Sequence, residues 1–334
     1  MLAAYCTGPG SIELRDLPPP APDGARVLVR VHGCGICGSD LHYYSGAAAP
    51  PNVCLGHEIA GRVATSGAGF TADEAVVIEP LLSCGTCPRC RAGEPNLCPA
   101  LRILGSLAPG GLAELVEVPA RTLYRVPADL DLDTAILTEP LAVAVHAAHL
   151  GEIASGDEVL ILGGGAIGLL AAFVAVTRGA RVTVSARHRH QAEAARMLGA
   201  HDVVGTGREE ILARCAAAPP DAVLETVGGA TATLDLALRA ARPGGRIVAL
   251  GVFTEPISLP PLLFLVKEVR LLPSMTYCRR GPHTDFETAL ALLGRERARL
   301  ATLITHRVPL REVARAFALA ADKASGAIKV AVHP

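Results

Sequence analysis

Residues 159–177 contain no charged side chain, yet the run is broken by Gly163-Gly164-Gly165 and again by Gly168. An unbroken apolar run of this length would read as a membrane span. The part able to be helical is about a dozen residues, roughly 18 Å at ~1.5 Å per residue, well short of the ~30 Å bilayer core. A buried strand, Val159-Leu160-Ile161-Leu162, a tight glycine turn and a buried helix over 167–178 explain the run better. A strand apolar along its whole length needs cover on both faces, which predicts a parallel sheet between helices. The following sequence continues the series with Arg181-Val182-Thr183-Val184, a helix over 191–198, Ala222-Val223-Leu224, a helix over 233–241 and Arg246-Ile247-Val248-Ala249-Leu250.

The 334 residues are enough for two domains. Residues 1 to about 140 differ in texture from the alternating region, with many prolines and glycines and short β-type runs such as Arg26-Val27-Leu28-Val29-Arg30-Val31 and Ile59-Ala60-Gly61-Arg62-Val63. The last fifty or so residues return to a mixed pattern. Helices are expected over 286–293 and 310–321, and a closing strand over 328–332 that rejoins the first domain. The net charge of −1 gives no reason to expect nucleic acid or an anionic membrane as partner. A small-molecule ligand is the better expectation. The first residues lack a basic start followed by an apolar core, so a cytoplasmic protein with reduced thiols is expected.

Gly163-Gly164-Gly165-Ala166-Ile167-Gly168 matches G-x-G-x-x-G directly after a strand and before a helix. In that position the glycines permit a tight turn and bring backbone N–H groups and the positive helix end against a pyrophosphate. A methyltransferase would also carry a glycine-rich first turn. Dinucleotide sites for NAD place a carboxylate near the end of the second strand, about 20 residues on. Here Val182-Thr183-Val184-Ser185 ends in Ala186-Arg187-His188-Arg189-His190, without an acid. Ser185, Arg187 and Arg189 therefore join Gly163, Gly165, Ala166, Ile167 and Gly168 as candidate cofactor contacts. The missing acid and the new bases together favour NADP(H) over NAD(H).

Ten cysteines are present, four of them spaced Cys84-x2-Cys87-x2-Cys90-x7-Cys98. Four thiolates within one short stretch suit a closed tetrahedral zinc site, with disulfides or plain buried thiols as the other options. The stretch itself is too short to be expected to hold a helix. A closed site leaves no position for substrate. Upstream lie Cys37-Gly38-Ser39-Asp40-Leu41-His42 and Gly56-His57-Glu58. A Cys and a His from separate loops, joined by a carboxylate, form a mixed set with one exchangeable position, the layout of a catalytic zinc. Cys34-Gly35-Ile36-Cys37 also has C-x-x-C spacing, without thioredoxin-like flanks.

These motifs, with Glu139-Pro140-Leu141-Ala142-Val143 and Thr305-His306-Arg307-Val308-Pro309-Leu310, resemble the zinc-containing medium-chain alcohol dehydrogenases, and most closely their sorbitol (polyol) dehydrogenase branch. The resemblance implies an α/β protein in which a GroES-like β-rich catalytic domain (1–143 and 282–334, with a structural-zinc lobe at 83–99) is interrupted by a Rossmann doubly wound parallel sheet (144–281). It implies two zinc ions per chain. Cys37 and His57 would bind the catalytic ion, Glu58 would be a direct or closely adjacent ligand, and Glu139 would stand where other branches carry a third cysteine or histidine. Cys84, Cys87, Cys90 and Cys98 would bind the structural ion, and Ser39 and His42 would form the proton relay. The implied reaction is hydride transfer between NADP(H) and a secondary alcohol or polyol, or its ketone, in a homodimer or homotetramer. An NAD-dependent dehydrogenase of another alcohol or amino alcohol is the alternative, and a non-enzymatic zinc module the remote one. One departure concerns substrate: where polyol enzymes usually carry an arginine that contacts substrate hydroxyls, this chain has Thr276.

Overall fold

The computed structural model describes residues 1–21, 24–48 and 52–334, apart from the side chain of Arg280. The chain forms two compact units, Met1–Glu139 with Cys278–Pro334, and Pro140–Tyr277. Each seam falls four residues before the boundary expected from sequence. The first seam lies within the opening turn of a continuous helix, Thr138–Leu150, in which Pro140 is tolerated near the start.

The first unit is built on a seven-stranded sheet ordered Ile304–Pro309, Lys329–His333, Arg26–Gly35, Glu58–Val63, Ala75–Ile78 and Leu123–Arg125, with Leu115–Pro119 also paired to Arg26–Gly35. Strand Arg26–Gly35 is its axis. Val27, Val29 and Val31 alternate into the core while Arg26, Leu28 and Arg30 do not, the period expected of a half-covered strand. The closing strand pairs antiparallel with the end of that axis, Ala331 opposite Gly35 and Val332 opposite Cys34. Lys329 through Val332 are all buried, so the strand that returns from the far end of the sequence becomes central.

The second unit carries a six-stranded, all-parallel sheet: Asp202–Val204, Arg181–Ser185, Glu158–Leu162, Ala222–Glu225, Arg246–Ala249 and Arg270–Pro273. By sequence rank the order is 3-2-1-4-5-6, the doubly wound arrangement. Strand Glu158–Leu162 lies at the point where the order reverses. Helix Ala166–Thr177 is buried from Gly168 to Ala175, which accounts for its lack of charge. Among the described residues no helix is long and apolar enough to cross a membrane. Strand Asp202–Val204 and helix Arg208–Ala217 were not expected from sequence. The strand has three residues, too few for a visible period, and the helix has only Ile211, Leu212 and Cys215 as apolar side chains larger than alanine.

Candidate functional site

The four-cysteine lobe does contain helix, against expectation. Pro88–Arg91 forms one turn, with Pro88 at its first position and the Cys87 side chain capping it by accepting from the Cys90 N–H. Proline is suited there because its missing N–H would be unpaired in any case. Backbone N–H groups also point at sulfur from Cys84 to Cys98 Sγ (3.4 Å) and from Cys87 to Cys84 Sγ (3.3 Å). Two such donors, from Thr86 and Cys87, hold the Cys84 thiol down at about 6. Cys84 Sγ and Cys90 Sγ are 3.9 Å apart, near the ~3.8 Å that tetrahedral geometry imposes on sulfurs about 2.3 Å from zinc. A disulfide would require about 2.05 Å, and all ten cysteines are free. One sulfur from each of the four lies within 4.8 Å of the others, so the donor set fits zinc.

Cys37, His57 and Glu58 form a second such group. Strand Arg26–Gly35 leads to Cys37, which precedes helix Gly38–Ser45, and strand Glu58–Val63 begins at the adjoining glutamate. Burial alone would lower His57. The negative charges of Cys37 and Asp40 outweigh it and hold the imidazole well above its usual range, with Glu139 adding to the effect. Glu58 is fully buried, and its Oε1 receives the Lys329 ammonium at 2.6 Å. Burial likewise disfavours the Lys329 charge, but Glu58 and Cys37 raise it. Glu58 Oε2 and Asp40 Oδ1 are both buried without a hydrogen-bond partner. Cys37, Glu58 and the Asp40 and Glu139 carboxyls act on one imidazole and one ammonium, and soft, borderline and hard donors together suit a divalent transition ion.

Three residues here escaped the sequence reading. Asp40 is 1% exposed, accepts from the Cys37 N–H at 2.9 Å and stands 3.9 Å from His57 Nδ1. Its signal was its place three residues after Cys37 at a helix start. Gly35 is required because a Cβ there would sit 2.0 Å from Glu58 Oε2. Lys329 had only its rarity as a signal, being one of three lysines. Cys34 is buried, and burial first, then the charges of Asp40 and Glu58, push its thiol up, which argues against C-x-x-C redox chemistry with Cys37. Glu139, 5% exposed, opens helix Thr138–Leu150 and is not one of the three groups that converge most closely. Ser39 and His42 lie three apart and half-buried on helix Gly38–Ser45, on one face.

The glycine turn of the second unit follows strand Glu158–Leu162 as expected. Gly163 has φ 110°, open to glycine only, and its N–H donates to Ser185 Oγ at 3.1 Å. A Cβ on Gly168 would lie 1.9 Å from the Gly163 oxygen, so glycine is what lets helix Ala166–Thr177 meet the turn. Gly165 caps that helix and Ala166 and Ile167 form its first turn, leaving N–H groups free for an anion. Beyond Ser185, Gln191 Oε1 accepts from the N–H groups of Arg187 and His188, both at 3.2 Å. The two arginines differ. Arg189 is paired with Glu193 at 2.7 Å, whereas no ion pair engages the Arg187 guanidinium among the described residues. Thr276 adopts φ 49°, an unusual backbone for a β-branched residue, with a buried unpartnered Oγ1.

A cavity of about 220 Å³ beside the lobe is lined by Glu79, Ser83, Cys90, Arg121, Tyr124 and Arg279 among others. Burial pushes the Glu79 carboxyl up to about 7, against the hydrogen bond from Tyr124 and the charge of Arg121. Because the folded value exceeds the unfolded one, the contribution of Glu79 to stability is full below about pH 4.5 and is lost as pH rises towards 7. Glu79→Gln should therefore stabilise the protein at pH 8 by about 2–3 kcal/mol and leave it little changed at pH 4.5. Urea unfolding at the two pH values checks this, and an equal effect at both would refute it.

The profile for the alcohol dehydrogenase GroES-like domain matches residues 23–128, and that for zinc-binding dehydrogenase matches residues 166–295. The chain is 34% identical to 2-dehydro-3-deoxy-L-galactonate 5-dehydrogenase of Pseudoalteromonas atlantica, over 95% of this chain and 94% of the relative. It is 33% identical to sorbitol dehydrogenase of Halalkalibacterium halodurans, over 98% and 97%. Among solved structures, a putative zinc-binding dehydrogenase from Sinorhizobium meliloti bound to NADP is similar with TM-score 0.87 and 32% identity, covering 100% of this chain and 99% of that one. A short chain alcohol dehydrogenase from E. coli CFT073 complexed with NADH gives TM-score 0.90 and 28% identity, with the same coverage.

Proposed function

The chain belongs to the zinc-dependent medium-chain alcohol dehydrogenases, in their sorbitol dehydrogenase-like branch, and from that premise we propose that it transfers hydride between NADP(H) and a secondary alcohol or its ketone. It is an oxidoreductase of CH–OH groups with GroES-like and Rossmann parts. What goes beyond the family is the cofactor, the substrate class and the role of each residue.

The observation that carries the cofactor reading is the end of strand Arg181–Ser185. It lacks a carboxylate and is followed by Arg187, whose guanidinium is unpaired among the described residues. An adenosine 2'-phosphate meets no repulsion there and gains a charge-assisted fork. Arg189 is the weaker candidate because Glu193 already holds it. The Gly163–Gly168 turn and the first N–H groups of its helix bind the pyrophosphate, and Ser185 braces the turn.

In the first unit, Cys37 and His57 would hold zinc with Glu58 or Glu139 as carboxylate donor, and Cys84, Cys87, Cys90 and Cys98 would hold a second, structural ion. Such a reactive ion supplies a Lewis acid for an alcohol or carbonyl oxygen, and the nicotinamide supplies the hydride acceptor or donor. The chain's own residues do the rest. Asp40 orients the His57 ring, and Lys329 holds Glu58 in place. Ser39 accepts the substrate hydroxyl proton as it releases its own, and His42, half-exposed three residues on, exchanges the released proton with water. With Thr276 in place of the usual arginine, a secondary alcohol with few hydroxyls fits better than a sugar alcohol. Helix Pro261–Lys267 exposes Leu262, Leu265 and Val266 by 71, 70 and 63%, which supports a homo-oligomer.

Steady-state kinetics with both cofactors on secondary alcohols, polyols and their ketones test the proposal. kcat/KM with NADP(H) should exceed that with NAD(H) by at least about tenfold, and Arg187→Ala should raise the NADP(H) KM by about 10–100-fold with little effect on NAD(H). More efficient turnover of NAD(H) would overturn the cofactor assignment and favour the NAD-dependent alternative.

A further inference from the structure

Three ligand-type side chains that the proposed chemistry does not use meet on the first unit. His32 lies in strand Arg26–Gly35, Asp133 in the one-turn helix Leu132–Ala135, and His333 at the end of strand Lys329–His333. His32 is 101 positions from Asp133 and 301 from His333, so the fold and not local sequence joins them. One donor atom from each lies within 4.8 Å of the other two. Asp133 Oδ1 faces both rings, 2.7 Å from His32 Nε2 and 3.9 Å from His333 Nδ1. A metal about 2.1 Å from each donor in tetrahedral geometry sets donor separations near 3.4 Å, within the 4.8 Å inside which the three donors lie.

The surroundings orient this set. Arg307 Nε donates to Asp133 Oδ2 at 2.7 Å, fixing the carboxylate and leaving Oδ1 to the imidazoles. His333 Nδ1 is 2.9 Å from the His32 carbonyl oxygen, where it can only donate. Its Nε2 then carries a lone pair, and that atom is buried with no hydrogen-bond partner. An imidazole with one nitrogen tied to a carbonyl and a bare lone pair on the other is the usual state of a metal-ligating histidine. The two rings stand edge to face at 84°, with centroids 5.4 Å apart.

We propose that His32, Asp133 and His333 form a third metal site, separate from the two cysteine-containing clusters, that takes a borderline divalent ion such as Ni2+ or Zn2+ and clasps strand Lys329–His333 to strand Arg26–Gly35. Two imidazoles and one carboxylate select transition ions over Mg2+ or Ca2+. With His32 42% exposed, the remaining positions are filled by water. The Arg307 charge opposes the ion, which sets affinity on the order of micromolar and not tighter.

Equilibrium dialysis of the tag-free holoenzyme against micromolar Ni2+, with nickel and zinc counted together by elemental analysis, tests the site. The expected result is one nickel gained per chain with no zinc lost. His32→Gln and His333→Gln should each weaken nickel retention at least about tenfold, with zinc content and turnover unchanged. Should His333→Gln fail to fold, the exposed His32→Gln and the wild-type titration still decide. No nickel gained, nickel gained only in exchange for zinc, or equal retention by the His32→Gln/His333→Gln double variant would each overturn the proposal.

Discussion

Cys37→Ser is expected to lower kcat/KM by at least about a hundredfold, because removing a proposed ligand should cost no less than the 10–100-fold seen when a residue that merely orients a ligand is lost. Serine keeps the size of the side chain and the N–H that Asp40 accepts at 2.9 Å, so the start of helix Gly38–Ser45 should survive. The sulfur is what disappears, and with it the largest of the influences that raise His57. The variant should retain its circular dichroism and still bind NADP(H), whose contacts are in the other unit, while elemental analysis finds one zinc fewer per chain. Wild-type turnover in Cys37→Ser would remove Cys37 from the reactive site. Loss of both zinc ions would instead point to a structural role.

Lys329→Met is expected to destabilise the fold by about 3–5 kcal/mol, the range for stripping one partner from a buried ion pair. The lysine is 3% exposed and Glu58 is fully buried, so their 2.6 Å contact is shielded from bulk solvent. Lys329 also donates to the Ile36 carbonyl at 3.1 Å, so the loss includes a backbone acceptor next to Cys37. The double variant Lys329→Met/Glu58→Gln removes both charges and should recover part of the deficit. Denaturant unfolding of the wild type, Lys329→Met, Glu58→Gln and the double variant in parallel gives the coupling, and additive effects would mean that the pair contributes nothing as a pair.

Local spacing carried most of what the sequence revealed. The four cysteines and the Gly163–Gly168 turn are contiguous, so their geometry is set within a few bonds of the chain, and the alternation of buried strands with helices followed from apolar runs. The turn of helix at Pro88–Arg91 was also legible, since a proline after a capping side chain suits a helix start. What stayed hidden was long-range. Glu58 and Lys329 are 271 positions apart, and no periodicity links a glutamate at one strand's start to a lysine at another's. Asp40 stood in plain view between Ser39 and Leu41, yet only the fold shows that it is buried and turned towards His57. Arg187 and Arg189 look equivalent in sequence and separate only when the helix turn sets Glu193 beside one of them.

That closing strand has a consequence for how the protein is made. At about 5–20 residues per second of synthesis, Glu58 emerges roughly 15–50 s before the lysine 271 positions later that neutralises it. The unit Pro140–Tyr277 is contiguous and is translated whole within that interval, so it can fold on the ribosome while the first unit waits for its last strand. During the wait Cys37, His57 and Glu58 lack the ammonium that completes their surroundings. Metal acquisition at that proposed site would then be a late event, timed by the emergence of Lys329, whereas the four-cysteine lobe has every donor it needs once Cys98 has left the tunnel.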